Sequence, residues 1–176
     1  MSDISQALAI INGLERDGII ERYAIGGAVG ATFYLEPVAT LDVDVFIVFR
    51  QHSNNLLLSL QPIYDYLIAK GGVIESEHVI LAGWPVQFLP PTGPLVEEAL
   101  SSAASVSVGD IPSRVFTAEH LAAIALQTGR PKDKARLLQF LESNVLDKVR
   151  FRAILERHGL DSAWMEFERT FLKGAK

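Results

Sequence analysis

Residues 41–49 form a nine-residue stretch that carries two aspartates among otherwise apolar side chains. Alternate side chains of an extended chain share a face, so the apolar residues would divide into Val43, Val45, Ile47 and Phe49 on one face and Phe46 and Val48 on the other. Apolar side chains on both faces indicate a central strand covered on both sides. Asp42 and Asp44 would share a face at its start, where repulsion and lost hydration disfavour two charges unless a cation or a donor lies between them. The stretch therefore predicts a divalent metal site, against the alternative of a loop-edge pair that caps turns.

Gly26 and Gly27 lie between two segments of different periodicity. Residues 23–25 are typical of a short strand, and residues 28–35 predict a helix of about two turns. Glycine at such a junction lets the backbone turn sharply and lets a ligand approach the main chain, and the free N–H groups of a helix start favour a phosphate. A tight turn explains the glycine pair equally well by itself. Together with a carboxylate-held cation, however, it predicts a nucleoside triphosphate site.

The motifs together resemble a known family. Gly26-Gly27, Glu36-Pro37 with Thr40, and Asp42-Val43-Asp44 are similar to the signature of minimal nucleotidyltransferases of the DNA polymerase beta superfamily, and most similar to its bacterial abortive-infection toxin-like branch. Residues 84–91 resemble a late strand of these proteins, and residues 119–133 resemble their helical tail motif. The resemblance covers roughly residues 22–142.

The resemblance implies a function and a set of site residues. It implies transfer of a nucleoside monophosphate from a nucleoside triphosphate to an acceptor hydroxyl, with Asp42 and Asp44 as catalytic ligands of Mg²⁺ or Mn²⁺. The nucleotide would contact Gly26, Gly27, Thr40 and Gln87. The acceptor stays open between a small molecule, a protein and an RNA, and a homodimer or an antitoxin-like partner stays open as well.

The chain departs from the family pattern at four positions. The third carboxylate of active members corresponds to Gln87, which as a hydrogen-bonded sheet residue needs no ligand. A frequent arginine corresponds to Val38, a tail lysine to Ala125 and a second tail acid to Arg136. These departures favour a second hypothesis, a catalytically inactive relative that binds a nucleotide or a partner.

Hydrophobic spacing predicts an α/β (α+β) fold with a small mixed sheet flanked by helices. Helices are predicted over residues 3–17, 55–69 and 94–104, and strands over residues 73–81, 84–89 and 114–116, with the hairpin signal Ala82-Gly83 between two of them. After Thr117, a candidate N-cap, the chain is predicted to be helical to its end. We therefore predict a nucleotidyltransferase-like core over residues 1–116 and a C-terminal helical region over residues 117–176 packed on it.

Composition excludes several classes of protein. The net charge of −5 argues against a basic face that binds polynucleotides without regard to sequence. The chain has no cysteine, and its first residues lack the basic start of a secretory signal, so we expect a cytoplasmic protein that does not associate with membranes. The four histidines share no metal-ligand spacing, and no role is assigned to them. The basic residues after Gly129 are interpreted as a solvated helix start, with a phosphate contact as the alternative.

Overall fold

The computed structural model describes residues 4–37, 42–50 and 59–173. The strands within these ranges are β1 (Ile20–Ile25), β2 (Val43–Phe49), β3 (Val73–Glu75), β4 (His78–Leu81), β5 (Trp84–Leu89), β6 (Ala104–Val108) and β7 (Ile111–Val115). The helices are α1 (Ile4–Arg16), α2 (Gly27–Ala31), α3 (Gln61–Ala69), α4 (Pro94–Ser101), α5 (Ala118–Thr128), α6 (Pro131–Glu142), α7 (Lys148–Arg157) and α8 (Asp161–Phe167), which continues as a π-helical turn over Glu168–Leu172. None of the helices described is both long enough and apolar enough to cross a membrane.

The strands form one mixed sheet in the order β3-β4-β5-β2-β1-β7-β6. The central strand β2 pairs in parallel with β5 and antiparallel with β1. On its other side β1 pairs in parallel with β7, and the remaining neighbours are antiparallel hairpins. The predicted mixed sheet and the central place of the aspartate-bearing strand are both confirmed.

Each face of the sheet is covered by its own apolar layer. One layer contains α1 and α3 and receives Val43, Val45 and Ile47 from β2, all of them fully buried. The other layer contains α4 to α8, and Phe46 and Val48 pack against it. Burying one such aliphatic side chain contributes about 1.5–3 kcal/mol, so both layers stabilise the central strand. The aspartates therefore begin a strand that is held from both sides.

Two helices end earlier than the sequence predicts. α2 ends at Ala31 rather than near residue 35, because the N–H groups of Thr32, Phe33 and Tyr34 bond to carbonyls three residues back and tighten the chain into turns. α4 ends at Ser101, and Ala104 already belongs to a strand. The helix predicted over residues 55–69 begins at Gln61 within the described part, and residues 51–58 lie outside it.

Two hairpins were not fully predicted from the sequence. Residues 73–81 do not form one strand but two, because the chain turns at Ser76, whose φ is +57°. β6 was missed, since its alternation of small and apolar residues, Ala104 to Val108, has few of the bulky side chains that mark strands. The hairpin predicted at Ala82-Gly83 is confirmed between β4 and β5.

The helical part of the chain begins where predicted. The Thr117 side chain caps α5 by accepting from the backbone N–H of His120. Phe116 and the apolar residues of α5 lie in the same layer as Ala24 and Ala31, so one apolar core extends across this boundary. The C-terminal helices thus form the cover of the sheet face that carries the aspartates.

Candidate functional site

The two glycines and the two aspartates meet where β1 ends and β2 begins. This end of the two strands is here called the aspartate edge. β1 ends at Ile25, which lies opposite Val45 of β2, so the chain that follows β1 passes the start of β2. The N–H group of Gly26 donates to the backbone oxygen of Asp44 over 2.9 Å. The antiparallel pairing of β1 and β2 therefore brings together the two motifs that the sequence places about fifteen residues apart.

Gly27 is in direct contact with the Asp44 carboxylate. Its φ of +57° lies in the left-handed region, and a Cβ atom at this position would overlap Oδ2 of Asp44. Gly26 has a similar limit, because a Cβ atom there would press into the rings of Phe46 and Phe116. Space therefore requires glycine at both positions, and at Gly27 the backbone conformation requires it as well.

Asp44 is an electrostatically unfavourable carboxylate in the protein alone. Burial raises the pKa of Asp44 above its ordinary value, and the nearby charge of Asp42 raises this pKa further. The positive charges of Arg136, Lys132 and Arg130 oppose both effects and lower the pKa. A bound cation would remove the same penalty, because it attracts the ionised form.

The cations that act on Asp44 come from the start of α6, where a buried carboxylate organises them. Asp133 is only 2% exposed and accepts from Nε of Arg130 over 2.5 Å, while Nη1 of Arg136 lies 3.7 Å away. Thr128 also donates to it over 2.9 Å. Burial raises the pKa of Asp133, but the bonds from Arg130 and Thr128 and the charges of both arginines outweigh it, and the net pKa is lowered.

The solvated helix start that the sequence favours is found at Arg130, Lys132 and Lys134, which are exposed, but not at Arg136. Arg136, at 18% exposure, is mostly buried. Lys134, in contrast, lies over the ring of Phe171 and belongs to another surface. The charges of Arg130, Lys132 and Arg136 thus lower the pKa of Asp44, whereas Lys134 has no such effect among those described.

The remaining predicted site residues are placed as follows. Gln87 lies directly opposite Asp44 on the adjacent parallel strand β5, so the two side chains share a face. Thr40 and the arginine-equivalent Val38 lie outside the described residues. Ala125, the equivalent of the family's tail lysine, is buried within α5. α2 has only five residues and therefore aligns few peptide dipoles, and the phosphate contact at its start stays a prediction.

A cavity of about 510 Å³ opens beside Asp42 on the aspartate-bearing face of the sheet. Ile80 and Pro85 line it together with the hairpin residues Glu75 to His78. Nε2 of His78 lies 3.6 Å from Oδ2 of Asp42. A second cavity of about 790 Å³ is lined by α1, β1 and the β6–β7 hairpin on the opposite face, away from the aspartates.

The residues present suit a cation whose coordination shell is completed by the substrate. Across the described ranges, no three histidine, cysteine, aspartate or glutamate side chains converge on a point where they could hold a metal by themselves. Mg²⁺ commonly binds through one or two carboxylates together with substrate phosphates. Asp42 and Asp44 supply two carboxylates and match that pattern.

Comparisons with known proteins agree on the fold. No protein-family model matches the chain, and its sequence matches no curated protein. An antigenic nucleotidyltransferase-like protein from Paracoccidioides brasiliensis is similar in structure, with a TM-score of 0.58 and 14% identity over 92% of this chain and 91% of that one. The solution structure of the antibiotic-resistance factor ANT(2'')-Ia has a TM-score of 0.55 at 12% identity, over 96% of this chain and 98% of its own.

The crystal structure of ANT(2'')-Ia in complex with adenylyl-2''-tobramycin gives a TM-score of 0.53 at 13% identity, with 90% of this chain and 99% of that chain covered. At these identities the likeness defines a fold. The chain has a nucleotidyltransferase fold, as its motifs predict, and the closer relation to the abortive-infection branch stays a prediction.

Sequence reasoning missed two parts of this site. His78 received no role because the four histidines share no metal-ligand spacing, and only the sheet brings it beside Asp42. The approach of Arg136 to Asp44 was equally hidden, because it depends on how α6 packs. The Gly-Arg-Pro-Lys-Asp run that starts α6 was the signal that pointed to it.

Proposed function

We propose that this protein is a metal-dependent nucleotidyltransferase that moves a nucleoside monophosphate from a nucleoside triphosphate to an acceptor hydroxyl. The observation that carries this proposal is that Gly27 lies against the carboxylate of Asp44, on which the positive charges of α6 also act. Asp42 faces the same side two residues earlier. The nucleotidyltransferase fold supports the same reaction.

Each group has a separate task in this proposal. Asp42 and Asp44 hold the divalent cation, Mg²⁺ or Mn²⁺, which when bound neutralises charge on the phosphate oxygens. Arg130, Lys132 and Arg136 bind the β and γ phosphates, and the glycines let the triphosphate approach the main chain. Gln87 contributes a neutral amide oxygen, and Thr40 is a proposed nucleotide contact.

The acceptor hydroxyl attacks the α-phosphorus. A new oxygen–phosphorus bond forms, the bond to the bridging oxygen breaks, and pyrophosphate leaves with the electron pair while the hydroxyl proton passes to solvent. ANT(2'')-Ia has been solved with an adenylylated small molecule. The cavity beside Asp42 lies within the usual size range of small-molecule sites, so we propose a small hydroxylated acceptor ahead of a protein or an RNA.

Thermal unfolding tests the nucleotide site. The wild type is melted with each of the four nucleoside triphosphates and Mg²⁺ or Mn²⁺, beside the double variant Asp42→Asn/Asp44→Asn and the control Asp110→Asn, which removes an exposed charge from a distant turn. A ligand at 100 times its dissociation constant adds about 2.7 kcal/mol to the free energy of unfolding. We expect a shift with at least one nucleotide in the wild type and the control only. No shift in a folded wild type overturns the proposal.

A second candidate function is nucleotide or partner binding without catalysis. The observation that favours it is that Gln87 lies opposite Asp44, at the position where the family resemblance implies an acid in active members. A measurement of pyrophosphate release distinguishes nucleotidyl transfer from binding alone. It uses a nucleotide that shifts the melting temperature. If the wild type binds without releasing pyrophosphate and Gln87→Glu gains release, the binding function is correct. Release by the wild type excludes it.

A further inference from the structure

His78 carries a buried imidazole nitrogen without a hydrogen-bond partner among the described residues. This atom, Nε2, is closed to solvent although 24% of the side chain is exposed. Leaving a buried polar group unpaired costs about 1–3 kcal/mol. An unsatisfied group in a folded protein therefore calls for a missing partner, of which an ion is one kind.

The sheet aligns His78 with the aspartate edge. Asp44 lies opposite Gln87 on β5, and Val86 lies opposite Val79 on β4. One step along that antiparallel pair places His78 beside Gln87, so the three side chains share one face of three neighbouring strands. His78 thus lies on the aspartate-bearing face of the sheet, on the strand next to the one that carries Gln87.

The distance between His78 and Asp42 suits two ligands of one cation. Nε2 is 3.6 Å from Oδ2 of Asp42, too far for a hydrogen bond. Two donors that are each about 2.1 Å from a cation lie about 3.0 Å apart at a right angle and about 3.4 Å apart at a tetrahedral angle. At the right angle of an octahedral Mn²⁺ site, Nε2 and Oδ2 would move about 0.6 Å closer together.

We propose that His78 is a nitrogen ligand of the cation bound at Asp42, and that the site therefore prefers Mn²⁺ to Mg²⁺. The inference rests on the proposed function, because the triphosphate oxygens complete the coordination shell. Imidazole nitrogen is a good ligand for transition metals, whereas Mg²⁺ selects oxygen. The neutral tautomer with its proton on Nδ1 presents the Nε2 lone pair.

Electron paramagnetic resonance of Mn²⁺ tests the ligand directly. The probe is Mn²⁺ with inorganic tripolyphosphate, which contains no nitrogen, so any nitrogen coupling in pulsed spectra comes from the protein. We expect nitrogen coupling in the wild type, its loss in His78→Gln, and its retention in Glu77→Gln, which removes a charge from the same cavity. Wild type labelled with ¹⁵N-histidine should show the coupling of ¹⁵N instead, which needs no variant to fold.

Metal titrations in the same series test the preference. We expect His78→Gln to lower the Mn²⁺ affinity about tenfold or more while the Mg²⁺ affinity changes less than about threefold. Bound Mn²⁺ without nitrogen coupling overturns the role of His78 and leaves the proposed function in place. Absence of any bound Mn²⁺ in the folded wild type overturns both.

Discussion

Gly27 and Asp44 are packed so closely that no side chain fits between them. A Cβ atom on Gly27 would overlap Oδ2 of the Asp44 carboxylate, and the φ of +57° at Gly27 independently favours glycine. Steric space and backbone conformation are separate requirements at this position. Their effects on stability and on ligand binding can therefore be measured separately.

Gly27→Ala should abolish the nucleotide-dependent rise in melting temperature. The left-handed backbone costs a residue with a Cβ about 1–2 kcal/mol, and the overlap displaces the carboxylate that holds the cation. Gly109→Ala is a matched control, because its φ is +58° and no atom lies within 4 Å of the added Cβ. Both variants should lose stability, but only Gly27→Ala should lose the nucleotide response. A full response in Gly27→Ala contradicts the proposed site.

Asp44→Asn should stabilise the protein in the absence of metal at neutral pH. Folding raises the pKa of Asp44, so the folded protein disfavours the ionised carboxylate. The wild type therefore gains stability relative to the variant as the pH falls through the raised pKa towards the ordinary value of 3.8. Urea unfolding in EDTA as a function of pH measures this difference.

The Asp110→Asn protein removes the same charge at an exposed turn and serves as the control. It should unfold like the wild type at each pH. A loss of stability in Asp44→Asn at neutral pH would show that the Asp44 carboxylate is favourably paired in the protein alone, contrary to the burial and repulsion described above.

Arg136→Gln should weaken triphosphate binding by about tenfold, equivalent to about 1.4 kcal/mol. The positive charge of Arg136 lowers the pKa of Asp44. Lys134→Gln is the control, since Lys134 lies over Phe171. Isothermal titration with tripolyphosphate and Mn²⁺ at two salt concentrations gives the triphosphate affinity of each variant. Equal losses in the two variants would indicate general attraction instead of a defined contact.

Glu98→Gln should destabilise the protein by about 1.5–3 kcal/mol at neutral pH, the range for a hydrogen bond to a charged group. Hydrogen bonds from Arg157, together with those from His158 and His120, outweigh partial burial and lower the pKa of Glu98 to about 2. These contacts join α4 to α5 and to the end of α7. Neighbouring Glu97→Gln, at an exposed position, should have little effect.

The contribution of Glu98 to the free energy of unfolding changes with pH in the opposite direction to that of Asp44. A lowered pKa gives stability that is complete above the ordinary value of 4.5 and is lost as the pH falls from there towards 2. The difference between wild type and Glu98→Gln should therefore shrink in that interval. A difference that is constant from pH 7 to pH 2 would mean that the carboxylate charge contributes nothing.

Much of the fold follows from local sequence. The apolar alternation of residues 43–49 identified a central strand, and Thr117 identified the start of the helical part, because periodicity and capping depend on neighbours along the chain. The turn at Ser76 and the strand β6 did not follow, because neither has a strong local signal and both are stabilised by partners across the sheet.

The residues of the candidate site divide in the same way, into those that the sequence predicts and those that only the tertiary structure brings together. Asp42, Asp44 and the glycine pair are candidate site residues that the sequence alone predicts, since their spacing and their apolar context mark them. The positions of His78 beside Asp42 and of Arg136 near Asp44 were decided only by the tertiary structure. Strand pairing and helix packing join residues that are tens of positions apart, and no local pattern records which of them will meet.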